Sequence, residues 1–192
     1  MIVQTLLLQG ELPQCVTVAG KRYSIYTDFR RWIQIEVLLF EEQGSFVSKL
    51  PEMLRLCYPI LPDTLEEAIH GITEFYSGGS KQKKKSFKGK GQALYSFVQD
   101  EALIYAGFYQ QYGIDLVKAD LHWWQFKALF EGLSEKTLMT QVMQYRAVDI
   151  SSVKNPEEQR FYRRMKELYR LEDTRTEEEK EAATVSALAQ LF

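Results

Sequence analysis

Two histidines, two cysteines and a run of lysines are the residues whose types could do chemistry in this chain of 192 residues. His122 follows Asp120 by two positions, a pairing that metal sites and acid–base pairs both use. A metal site needs roughly three or four such ligands. The other histidine, His70, falls on a separate helical segment, so His122 reads as a polar residue at a helix start. Cys15 and Cys57 have the spacing of neither a metal knuckle nor a C-x-x-C redox pair, and Cys57 sits in an apolar helical pattern as a small hydrophobe. Asp100 and Glu101 are adjacent carboxylates that point in different directions on a helix, and they read as a solvated face. The chain has no G-x-S-x-G, P-loop, G-x-G-x-x-G or H-E-x-x-H pattern. The expectation is no catalytic residue, no cofactor and no metal.

The lysines are concentrated. Residues 77–92 hold Lys81, Lys83, Lys84, Lys85, Lys88 and Lys90, with four glycines and no acid, a net charge of +6. The flanking stretches 1–76 and 93–192 each carry −4, so the whole chain is at −2. Such a balance disfavours wholesale electrostatic binding to nucleic acid. The six lysines alone could touch phosphates, which leaves a nucleic-acid-binding regulator as the alternative function. With Phe87 as its one aromatic, the segment reads foremost as a flexible, solvated linker.

Around that linker the elements are mostly helical. The fold class is mostly α: a small N-terminal β-hairpin packed on helices, followed by a helical bundle. The blocks are 1–76, the linker 77–92, an aromatic-rich helical block 93–171 and an amphipathic tail helix 172–192. Cys15–Val18 and Arg22–Tyr26 are β-rich runs with a turn at Ala19-Gly20-Lys21. Thr27 or Asp28 caps a helix running to about Gln43, with Phe29, Trp32, Ile33, Ile35, Glu36, Val37, Leu39 and Phe40 on its apolar face and Arg30, Arg31, Gln34 and Glu41 outside. A second helix covers 46–57, its start shifted toward Leu50 by Pro51. Thr64 and Glu67 form a capping box for a third, ended by Gly78-Gly79. Further helices span Leu94–Tyr112 before Gly113, Leu121–Glu131 capped by Asp120, 135–148 capped by Ser134, and one opened by Asn155-Pro156. Thr176 opens the tail with a second capping box, and the tail ends in Val185, Leu188, Leu191 and Phe192.

The second block is dense in aromatics. Tyr105, Phe108, Tyr109, Tyr112, Trp123, Trp124 and Phe126 fall close together and, with Arg146, are the candidate partner-binding residues. Aromatics and arginine carry energy at interfaces, although the same pattern also describes a large aromatic core. Arg146 could equally be half of a buried pair with Asp115 or Asp149. The longest uncharged apolar stretch, Ala102–Tyr109, is far short of the ~20 residues that span a bilayer, and the start lacks a secretory pattern. A cytoplasmic protein with no membrane contact is expected.

The stretches Tyr105–Leu116, Leu121–Leu133 and Met143–Arg146, with Tyr26–Trp32 and Glu66–Tyr76, resemble a family of tail-region proteins of siphophages and prophages of Gram-positive bacteria. Its gene sits just before the tape-measure gene. The resemblance covers nearly the whole chain apart from the last twenty residues and brings no assigned binding residues with it. It implies a non-enzymatic tail assembly chaperone in the host cytoplasm, with the tape-measure protein and tail-tube protein as partners. The tail helix, too short to be stable alone in water, docks either on its own domain or on another chain, and self-association into a homo-oligomer is the expectation taken.

Overall fold

A computed structural model describes residues 11–42, 44–78 and 93–172. The lysines of the linker and the amphipathic tail both lie outside these residues. The described chain is a two-stranded hairpin and seven α-helices, with the hairpin packed on helices as its sequence implies.

Strands β1 (Cys15–Val18) and β2 (Lys21–Ser24) pair antiparallel, Cys15 opposite Ser24 and Val18 opposite Lys21. The loop is the two residues Ala19 and Gly20, with φ of 49° and 80°. Positive φ at both positions is the turn whose twist matches the strands, and Ala19 adopts it despite its Cβ. The strand alternation buries Val16 and Val18 and exposes Thr17. The two valines lie against α3 (Leu65–Tyr76), where Gly71 allows the approach. A Cβ on Gly71 would stand 2.4 Å from the Tyr58 hydroxyl oxygen and 2.9 Å from a Val16 methyl. That hydroxyl is itself held, donating to the Ala68 carbonyl at 2.8 Å. Gly71→Ala should therefore lower stability by about 1–3 kcal/mol through overpacking, read as a lower urea midpoint at unchanged slope.

Helix α1 (Phe29–Glu36) is capped by Asp28, whose carboxylate accepts from the Arg30 amide at 2.8 Å. It runs on into a wider π-helical turn, Val37–Glu41, closed by the Glu42 amide on the Val37 carbonyl at 2.9 Å. The wider turn breaks the expected face: Leu38 is buried and Phe40 is mostly exposed. Helix α2 (Phe46–Cys57) starts at Ser45, which accepts from the Ser48 amide at 3.2 Å, so Pro51 lies inside the helix and does not delay its start. Thr64 caps α3 by accepting from the Glu67 amide at 3.2 Å. The Glu67 carboxylate lies 3.5 Å from the Tyr23 hydroxyl on the hairpin.

The second half departs further from expectation. The helix expected from Leu94 begins only at Glu101, as α4 (Glu101–Tyr112), and ends as expected at Gly113 with φ of 67°. Residues 94–100 are held irregular by distant groups. Glu41 accepts from the Phe97 amide at 2.8 Å and from the Ser96 hydroxyl, and Asp100 accepts from the Ser96 amide at 3.0 Å. Helix α5 (Trp123–Glu131) is capped by His122, not Asp120. Helix α6 (Leu138–Ala147) is capped by Thr137, not Ser134. Helix α7 (Pro156–Leu168) starts as expected, with Asn155 accepting from the Glu157 amide at 2.8 Å.

Two backbone hydrogen bonds join the starts of α1 and α5. The Phe29 amide donates to the Leu121 carbonyl at 3.1 Å, and the Trp123 amide donates to the Thr27 carbonyl at 2.7 Å. Beside this stitch, the Arg30 guanidinium donates to the carbonyls of Leu116, Val117 and Ala119 at 2.7–3.0 Å. One core follows from it: Val16, Trp32, Cys57 and Phe75 from before the lysine segment share it with Phe97, Phe108, Trp123 and Phe126 from after it.

Candidate partner-binding surface

The eight residues singled out by type fall into three settings. Phe108, Trp123, Trp124 and Phe126 are buried. Phe126 stacks on Phe29 at 4.8 Å and on Phe108 at 5.1 Å between ring centres, with Trp123 at 5.9 Å on the same side chain. Trp123 also stacks on Trp32 at 6.0 Å, and its indole N–H has no hydrogen-bond partner among the described residues. The Trp124 indole donates to the Phe75 carbonyl at 2.8 Å. These four build the core and present no surface to a partner in this conformation. Tyr112 is half-buried and donates to the Leu129 carbonyl at 2.8 Å. Tyr105 is half-buried too and donates to Asp115 at 3.3 Å, so of the eight only Tyr109, stacked on it at 6.2 Å, is mostly exposed, at 58%.

Arg146 is the third setting. Its guanidinium is buried and donates two bonds to Asp100, at 2.6 and 2.9 Å. It donates two more, to the Leu94 carbonyl at 2.9 Å and the Tyr169 carbonyl at 2.7 Å. Its partner is thus Asp100, and not Asp115 or Asp149. Asp100, read as a solvated carboxylate, is only 3% exposed. The signal for a buried pair was legible, since Arg146 is the one charged residue in α6. The identity of the partner was not, because it lies 46 positions away.

Neither histidine is placed for metal chemistry, and no group of His, Cys, Asp and Glu among the described residues could hold a metal ion. His122 has a structural task. Its Nδ1 accepts from the Trp124 amide at 3.0 Å, while Gln125 reaches back to accept from the His122 amide at 3.1 Å. Nδ1 must then be unprotonated, so Nε2 carries the hydrogen and donates to the Pro13 carbonyl at 3.0 Å. Burial pushes the imidazole below its ordinary value of 6.5, against the opposing pull of that carbonyl. The unfolded chain binds this proton more readily, so stability is fully present above pH 6.5 and is lost as pH falls toward the folded value. His122→Asn keeps an N-cap acceptor but no titration. It should flatten the decline in thermal midpoint between about pH 7 and 5 relative to wild type; an unchanged decline would show that His122 is not its source.

A second buried titratable group lies at the end of α1. Glu36 accepts from the Tyr76 hydroxyl at 2.6 Å and the Tyr95 hydroxyl at 3.4 Å. Desolvation raises its carboxyl pKa, partly offset by Tyr76, the nearby Lys127 ammonium and Tyr95. Desolvation also holds the Cys57 thiol at about 12, which makes it inert. Sequence reading counts Glu36 with the apolar face, Glu41 outside it and Asp100 as solvated, because the donors that decide their roles lie 40 or more positions along the chain.

Exposed apolar side chains are spread over several elements, and at the corner between α1 and α2 they occur beside an open groove. An open groove of about 540 Å³ is lined by Gln34, Leu38, Glu42, Lys49, Glu52 and Leu56. The Lys49 stem is buried along it and its ammonium donates to the Glu42 carbonyl at 2.6 Å. In the first turn of α2, Phe46 is 50% and Val47 75% exposed, and Phe40 is also exposed. Phe46 and Val47 are neighbours in one turn, and adjoining exposed apolar side chains mark contact sites more often than isolated ones do. No helix among the described residues is long and apolar enough to cross a membrane.

No curated protein and no solved structure matches the chain. A model of the family described as Bacteriophage Gp15 protein matches residues 8–171, which takes in the hairpin, all seven helices and the α1–α2 corner. The chain belongs to the bacteriophage Gp15 protein family.

Proposed function

We propose that this phage protein is a non-enzymatic tail assembly chaperone, which covers apolar stripes of the tape-measure protein in the host cytoplasm and helps recruit tail-tube subunits. The observation that carries the reading is the groove between α1 and α2 with Phe46 and Val47 exposed beside it. Leu38 and Leu56 are its apolar lining among polar side chains, and with Phe46 and Val47 they offer apolar contacts to one face of an amphipathic helix. Membership of a phage family and the resemblance to proteins encoded beside the tape measure support it. Many weak sites along a long tape measure would hold it by avidity and still release it as the tube grows.

Co-expression tests this. The tape-measure protein should become more soluble and co-purify with the chain. Phe46→Asp combined with Val47→Asp should abolish co-purification at little cost in stability, because Val47 is mostly and Phe46 half exposed in the first turn of α2. A tape measure that neither gains solubility nor co-purifies with the wild-type chain overturns the reading.

A further inference from the structure

The groove between α1 and α2 sorts its charges by depth. Gln34, Leu38 and Glu42 follow one another at four-residue steps along α1 and its π-helical turn, and α2 contributes Lys49, Glu52 and Leu56. Such steps form a ridge along a helix, and from Gln34 to Glu42 it is roughly 12 Å long, about two turns of a third helix. Leu38 is buried and Leu56 half-buried in the lining. Lys49, the cation among these residues, is only 8% exposed, and its ammonium is turned onto the Glu42 carbonyl at 2.6 Å. The Glu42 and Glu52 side chains are exposed, and neither has an ion pair among the described residues. Arg31 and Arg55 on the same helices are not part of the lining, and Arg31 lies 3.8 Å over the Tyr26 ring.

An apolar interior with two uncompensated carboxylates at its mouth discriminates between helices that hydrophobicity alone treats alike. Lysine or arginine beside an apolar stripe meets Glu42 and Glu52 as an opposite charge, whereas aspartate or glutamate in the same place is repelled. Exposed charges of this kind add little affinity each, so their effect is on which stripe docks more than on how tightly. We propose that the α1–α2 groove takes from its partner an amphipathic helix of about two turns whose apolar stripe is bordered by basic side chains, and that Glu42 and Glu52 read that border. The inference rests on the chaperone reading for the docking face and adds the chemistry of the segment that docks.

Two synthetic helical peptides test it on the full chain by fluorescence anisotropy. Both carry the same leucine stripe, bordered by lysine in one and by glutamate in the other. At low salt the lysine peptide should bind about tenfold more tightly, from two opposite-charge contacts made and two like-charge contacts avoided. The gap should close toward about 0.5 M salt. Glu42→Lys combined with Glu52→Lys should reverse the preference at an unchanged unfolding midpoint, because both side chains are exposed. Glu66→Lys combined with Glu135→Lys changes net charge equally at exposed positions outside the lining and should leave the preference as it is. Equal affinities, no binding of either peptide, or a preference that both double variants change alike overturns the proposal. So does light scattering that shows the wild-type chain self-associating and the Glu42→Lys, Glu52→Lys variant monomeric, which assigns the groove to a second copy. These outcomes leave co-purification of the tape-measure protein untouched, whereas its absence sinks the chaperone reading whatever the peptides do.

Discussion

Arg146→Ala should lower the unfolding free energy by about 3–5 kcal/mol, the largest effect of any single charged residue in this fold. The guanidinium makes four hydrogen bonds from a buried position, two to Asp100 and one each to the carbonyls of Leu94 and Tyr169. Its removal leaves the buried carboxylate with only the Ser96 amide as donor and takes the guanidinium from two carbonyls, and the desolvation already incurred is not returned. It also removes a tie between two segments that other groups hold as well: the irregular stretch 94–100, where Glu41 binds Ser96 and Phe97, and the C-terminal end of α7, where Tyr169 stacks on Tyr145. Urea unfolding of the variant should therefore show a lower midpoint, and hydrogen exchange should rise first in α7. Asp100→Leu combined with Arg146→Met should recover part of the loss, because the buried carboxylate is removed while the Ser96 amide and the Leu94 and Tyr169 carbonyls still lack these partners. If Arg146→Ala unfolds at the wild-type midpoint, the pair does not hold these segments.

That pair also marks where sequence reading stops. The hairpin, the Asp28 cap, the Thr64 cap, the Gly113 terminus and the Asn155-Pro156 start are each encoded within a few residues, and each is found where local chemistry puts it. The stretch 94–100 has helical spacing too. There, however, Glu41 and Asp100 bind the Phe97 and Ser96 amides, and a carboxylate 56 positions away has no signature in a local window. The α5 cap failed for a different reason. Asp120 is the better cap by residue type, but the backbone stitch between α1 and α5 places the helix start two residues later, where the imidazole of His122 supplies the acceptor. The aromatic cluster was legible as a cluster. Whether its rings face one another or the solvent depends on α1 and α3 closing over it, which spacing within the second block does not encode.

The same ambiguity yields a sharp contrast between two residues that sequence alone treats alike. Phe126→Ala should lower stability by about 3–5 kcal/mol, while Tyr109→Ala should stay within about 0.5 kcal/mol of wild type. Phe126 is fully enclosed and lies within about 6 Å of the rings of Phe29, Phe97, Phe108, Trp123 and Phe130, so truncation opens a cavity among side chains drawn from four parts of the chain. Tyr109 keeps one neighbour, Tyr105, and solvent takes its place. Thermal unfolding of the two variants measures the difference directly, and equal midpoints would contradict the burial of Phe126. The contrast also governs how binding defects are read. Loss of a partner in Phe126→Ala, a variant with a weakened core, reports only on folding. Loss of the same partner in Phe46→Asp with Val47→Asp, at an unchanged unfolding midpoint, reports on a surface. A contact face on this protein is therefore located by variants that bind less and unfold no sooner, and the aromatic core, for all its resemblance to a hot spot, cannot supply one.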